Sequence, residues 1–242
     1  MIRAGLIALA LALAATSATA GCRQALALGL DVSGSVDAKE YRAQLDGLTS
    51  ALNDAEVRNK ILEMPSAPVR LLVYEWSGPG DQHVLLPWTA IDQSAALDIA
   101  IETLRQTRRR DSTPGTALGV AMTYGARQLA QQSDCWKRTL DISGDGKSNL
   151  GPRPRDVKHR IERSGITING LVIGADAPNI GDLRQAEISE LSAYYSAEVI
   201  LGQEAFVQAA LGYDSYADAM KRKLLRELEG LILSYLPPLP DR

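Results

Sequence analysis

Apolar and polar positions fall in blocks along the chain, and the period changes from block to block. "ALALGL" (25–30) is apolar at every position, the pattern of a strand covered on both faces. It stops at Asp31. Beyond "DVSGSVD", Tyr41, Leu45, Leu48 and Leu52 recur at three- and four-residue spacing and predict a helix over 38–52, with Asp37 at its N-cap. "VRLLVYEWSG" is a second buried strand. "GPGD" marks a turn, and "QHVLLPW" after it predicts the returning arm of a hairpin. Helical spacing over 91–107 and 115–132 precedes a third buried strand, "KRTLDIS". "PRDVKHRIERSG" predicts a helix closed by Gly165, and "ITINGLVIG" a strand ended by Gly174. A helix over 183–195, a short last strand "AEVIL", an amphipathic helix over 215–233 and a frayed tail complete the pattern.

Strands alternating with helices predict a doubly wound α/β fold. Its central sheet is mostly parallel, with one antiparallel edge strand and helices on both faces. Ligands of such sheets bind beyond the carboxyl ends of the strands. Asp31, Ser33 and Ser35 stand at that edge.

Composition narrows the class. The first residues, "MIRAGLIALALALAATSATA", combine one positive charge, a short apolar run and Ala18-Thr19-Ala20, the pattern of a secretory signal cleaved after Ala20. A mature chain of 242 − 20 = 222 residues is long enough for one large domain, expected over 21–235 with a tail at 236–242. Losing Arg3 moves the formal charge from −3 to −4. That balance argues against a nucleic-acid partner. Arg108-Arg109-Arg110 reads as a solvated helix end. No later stretch has membrane-spanning length, so a periplasmic or secreted protein is expected. Two cysteines, Cys22 and Cys135, suit a single disulfide in an exported chain.

Three segments bring small oxygen-bearing side chains to the binding edge: Asp31-x-Ser33-x-Ser35, Thr113 in "RDSTPGTALG", and Asp145 in "DISGDGKSN". Two carboxylates and three hydroxyls form an oxygen-only set. Hard divalent cations prefer such ligands, Mg²⁺ foremost, with Mn²⁺ or Ca²⁺ as alternatives. Thr116 competes with Thr113, which segment order favours, and Asp141 competes with Asp145, but Asp141 falls inside the strand while the Gly-flanked Asp145 lies where the loop turns.

"DVSGSV", a Thr loop and a later strand-end Asp resemble the metal-ion-dependent adhesion site of von Willebrand factor A domains. "DVSGSVDAKEY", "PWTAID", "DISGDG", "GITINGLVI" and "FVQAA" also resemble a bacterial family of exported proteins that carries this domain and has no assigned function. The resemblance covers nearly the whole mature chain. It implies that Ser33, Ser35 and Thr113 coordinate the cation directly, and Asp31 and Asp145 directly or through water. The loop departs from the family in lacking the glycine pair often found before the Thr. If Asp31 and Asp145 end neighbouring parallel strands, Cys22 and Cys135 start them at nearly equal offsets, and a Cys22–Cys135 bond follows.

The reading that results is a protein-binding module, not an enzyme. Its cation would be completed by an Asp or Glu carboxylate of a protein partner. The alternatives are a metal-assisted hydrolase or phosphatase, with Lys147 as a phosphate ligand, and a structural envelope protein with a degenerate site. Glu75 is an ordinary strand-end acid that could stand behind the site. His83 and His159 read as surface residues.

Overall fold

A computed structural model of the chain describes residues 21–174 and 181–229. The predicted signal (1–20), the tail (236–242) and the end of the last helix lie outside the described residues. The first apolar run is the interior of β1 (Cys22–Asp31), buried at all positions. Its even residues, Leu26, Leu28 and Leu30, face one core; Ala25 and Ala27 face the other. That two-residue alternation is what a strand requires when both faces are covered.

Asp37 caps α1 (Ala38–Asn53), accepting from the Lys39 and Glu40 N–H groups, while the Glu40 carboxylate returns to the Asp37 N–H. This reciprocal pairing satisfies orphan donors of the first turn. A short helix absent from the sequence reading, α2 (Ala55–Leu62), follows at once, capped by Asp54. The hairpin forms as expected: β2 (Val69–Trp76) pairs antiparallel with β3 (Gln82–Ile91), which forms one sheet edge. Next come α3 (Ser94–Gln106), α4 (Leu118–Ala130), β4 (Cys135–Gly144), α5 (Pro154–Ile161), β5 (Thr167–Ile173) and α6 (Gly181–Glu198). The described residues close with β6 (Val207–Ala210), one 3-10 turn at Tyr213–Ser215, and α7 (Tyr216–Glu229).

One strand differs from expectation. "AEVIL" is not the last strand: Ala197 and Glu198 finish α6, and Leu201 makes only an isolated antiparallel bridge to Ile168. Val199 is buried because it closes the helix against the sheet, which gives five apolar-rich residues the look of a strand. The true edge strand lies at Val207–Ala210, parallel to β5.

The sheet order is β3-β2-β1-β4-β5-β6. β1 and β4 are central neighbours, yet the chain leaves β1 toward β2 and leaves β4 toward β5. The crevice at their carboxyl ends is therefore a topological switch point, the preferred ligand position in doubly wound sheets. α1, α3 and α7 cover one face, and α4, α5 and α6 the other. At the opposite edge Cys22 lies across from Cys135 in register, and the two form a disulfide over a separation of 113 residues. The bond is worth about 4–5 kcal/mol by loop-closure entropy. It fastens the two strands whose other ends carry the site.

Candidate metal centre

The site begins with backbone geometry. Asp31 is the last residue of β1, fully buried, and its Oδ1 accepts the Ser33 N–H at 2.8 Å. This turn lifts the chain off the strand and brings Ser33 and Ser35 round on one side, their Oγ atoms 3.3 Å apart. Gln44 of α1 donates to the Asp31 carbonyl at 3.0 Å and fixes the turn from below. Gly34 lies against Pro114, where a Cβ would come within 2.8 Å of the proline ring, and its N–H donates to the Pro114 carbonyl at 2.9 Å. Close approach of the two loops thus requires glycine at position 34.

Asp145 arrives from the loop after β4. Ser35 Oγ donates to Asp145 Oδ1 at 2.7 Å. Asp31, Ser33, Ser35 and Asp145 are therefore brought together across the β1–β4 crevice. Burial, and then the Asp145 charge, raise the Asp31 carboxyl to about 7; burial also raises Asp145. A buried acid, Asp31, and a half-buried one, Asp145, share a corner in which the other groups are hydroxyls and backbone amides. Asp31 Oδ2 is buried and has no hydrogen-bond partner among the described residues.

The remaining expectations separate. Asp141 lies inside β4 on the face covered by α7, where Lys223 pairs with it at 2.7 Å. Glu75 accepts the Tyr41 hydroxyl at 3.0 Å. Lys147 pairs with Glu190 at 2.5 Å. His83 and His159 are exposed. Arg109 is not merely solvated: it donates to the Val36 carbonyl and lies over the Tyr41 ring, bracing the serine loop.

The two threonines part company. Thr113 is exposed and turned to the β2–β3 turn. Its N–H donates to Asp81 Oδ2 at 2.9 Å, and its hydroxyl also bonds Asp81. Thr116 is buried. Its N–H donates to Asn149 Oδ1 at 2.8 Å, and its carbonyl accepts from the Asn149 N–H, so it is laced to the loop that carries Asp145. Pro114, Asn149, Gln44 and Asp81 all shape the site and were not singled out in the sequence. They act through backbone atoms or tertiary contacts, which leave no local pattern.

The donor set fits a hard cation. It is all oxygen, it carries two carboxylates with no cationic side chain between them, and it includes a buried carboxylate oxygen without a donor. Among the described residues no cluster of three or more His, Cys, Asp and Glu forms a metal site, so hydroxyls must supply the rest of the shell.

Comparison with known proteins agrees with this architecture. Residues 21–232 match the family described as a protein of unknown function (DUF1194), and the chain belongs to that family. A comparison with curated proteins gives no match. The fold is that of von Willebrand factor A domains. It is similar to a von Willebrand factor type A protein from Catenulispora acidiphila at TM-score 0.54 and 14% identity, covering 86% of this chain and 43% of that one. It is similar to proximal thread matrix protein 1 of the mussel byssus, in a structure with a zinc-occupied MIDAS motif, at TM-score 0.59 and 15% identity, covering 86% and 48%. An aerotolerance-related membrane protein from Bacteroides fragilis matches at TM-score 0.51 and 15% identity, covering 85% and 98%. The chain thus spans about half the length of the mussel protein.

Proposed function

We propose that this chain is an exported protein-binding module whose site holds a divalent cation, Mg²⁺ first, and that an Asp or Glu carboxylate of a protein partner completes the shell. The observation that carries this reading is the meeting of Asp31 and Asp145 with Ser33 and Ser35 at the switch point, with no protein cation among them. A bound cation would supply the charge that attracts the partner's carboxylate. Ser33, Ser35 and Asp145 would hold it; Asp31 would stand behind with its unpartnered oxygen. Thr116 is the better third hydroxyl, because its backbone is tied to the Asp145 loop and Thr113 is engaged by Asp81. The zinc-occupied motif of the mussel protein supports a divalent cation in this fold. The disulfide suits an oxidising compartment, and none of the helices among the described residues is long and apolar enough to cross a membrane.

The phosphatase alternative used Lys147 as a phosphate ligand. Its pairing with Glu190 lends that reading no support.

The test is calorimetric titration of residues 21–242 with Mg²⁺, Mn²⁺, Ca²⁺ and Zn²⁺, alongside Asp145→Ala. Binding by the native chain and its loss in the variant are expected; no heat with any of the four cations defeats the reading. Thr116→Val is expected to weaken binding more than Thr113→Val. Pull-downs with and without chelator would then identify the carboxylate-bearing partner.

A further inference from the structure

Behind the carboxylate corner lie three buried polar atoms without hydrogen-bond partners: Asp31 Oδ2, Tyr195 Oη and Trp76 Nε1. Their side chains meet at one point. A Cβ built on Gly144, the last residue of β4, would run into Tyr195 Oη and stand 3.0 Å from Asp31 Oδ2 and 3.6 Å from the Trp76 ring. All three residues are fully buried. Tyr195 belongs to α6, on the face opposite α1, and its ring packs against Gly170 of β5. A tyrosine hydroxyl sealed from water normally finds an acceptor. The acceptor beside it is a carboxylate oxygen that lacks a donor. A phenol keeps its proton at neutral pH, so it stands there as an O–H donor.

We infer that Tyr195 is a positioning residue of the metal centre: its hydroxyl, not bonded to Asp31 Oδ2 as the two stand in the structure, closes a hydrogen bond to that oxygen across the gap left by the missing side chain of Gly144. Asp31 Oδ1 is already taken by the Ser33 N–H. With Tyr195 on the other oxygen, the carboxylate is held at both ends and presents one orientation to the crevice. The remaining lone pair of Oδ2 is free for the cation or its water. Outer partners of this kind tune ligands without touching the metal. The inference rests on the reading of Asp31 as part of a cation site, and it adds α6 to the elements that build that site. It also explains Gly144, where any side chain would enter the space that the hydroxyl crosses.

Tyr195→Phe removes one oxygen and keeps the ring. Mg²⁺ affinity measured by calorimetry should fall about tenfold, and the rise in melting temperature produced by saturating Mg²⁺ should shrink. Tyr74→Phe is the control. It deletes another buried hydroxyl, bonded to the Ala121 carbonyl at 2.9 Å; it should lower the melting temperature and leave Mg²⁺ affinity unchanged. Unaltered Mg²⁺ affinity in Tyr195→Phe overturns the inference. A measurement on the metal-free native protein stands apart from both the variant's folding and the cation reading: the Tyr195 hydroxyl proton should appear in NMR as a slowly exchanging signal with a contact to Gly144. If the native chain binds no divalent cation but this signal is present, the function proposed above fails and the pairing survives. If the signal is absent while Mg²⁺ binds, the pairing fails alone.

Discussion

Two pairs of acids meet in this molecule, one with a member inside β4 and one with a member just past its end. Asp141 and Glu227 share the ammonium of Lys223, at 2.7 and 2.6 Å, beneath α7. Asn169 adds a hydrogen bond to Glu227 at 2.7 Å. Asp31, the end of β1, and the half-buried Asp145, in the loop after β4, have only hydroxyl and amide donors among the described residues. The first pair carries its cation within the fold; the second does not. Burying a charge without a counter-charge is expensive, and at such a corner a proton or a cation from solution relieves the cost. The closed pair therefore reads as structure and the open pair as a site.

The largest effect should come from breaking the closed pair. Lys223→Met leaves two buried acids without a cation and is expected to cost about 3–5 kcal/mol in denaturant unfolding. Replacing Asp141 and Glu227 as well, by apolar residues of similar size, should recover much of that loss. If Lys223→Met is nearly neutral, the contrast between the pairs collapses. At the open pair the order reverses. Asp145→Ala should leave metal-free stability unchanged or slightly raised, because it removes like-charge repulsion. It should abolish the gain from cation, which in the native chain amounts to about 2.7 kcal/mol at a concentration one hundred times Kd.

A smaller effect is the pH dependence. Asp31 titrates at about 7 in the fold against 3.8 for its ordinary value. Between those values the folded chain keeps a proton that the unfolded chain has lost. Its contribution is fully present below about pH 4 and is lost as pH rises through 7. Asp141 is raised too, by burial, with Lys223 pulling against it. Melting temperatures from pH 4 to 8 should therefore fall with rising pH in the metal-free protein, and saturating Mg²⁺ should remove the Asp31 share while leaving that of Asp141. An identical slope with and without Mg²⁺ would place no titrating acid at the cation site.

Much of this was legible in the chain. The apolar run into Asp31 and the Asp37 cap marked β1 and α1, because both depend on neighbours in sequence. The offsets of Cys22 and Cys135 from the two strand-end acids marked the disulfide, because parallel register converts equal spacing into proximity. Position favoured Asp145 over Asp141, a Gly-flanked loop residue against one inside the strand, but the pairing of Asp141 with Lys223 of α7 was not legible, because nothing near Asp141 announces that lysine. Thr113 had segment order in its favour, but Asp81 and Asn149, each more than thirty residues away, divide the two threonines. Tyr195 was invisible for the same reason, as one apolar-face residue of a helix that carries no motif.

The pairing of Cys22 with Cys135 also has a meaning in time. A chain made from its N-terminus completes β1, β2 and β3 long before β4 exists, so the β1 edge stays open until more than half the polypeptide is present. An unpaired edge of this apolar kind invites wrong partners while it waits. Asp31, Ser33 and Ser35 belong to the early half and Asp145 to the late one. The carboxylate corner and the disulfide thus come into being together, at opposite ends of the same two strands, when β4 docks. The corner is whole only in a chain whose β4 has docked on β1.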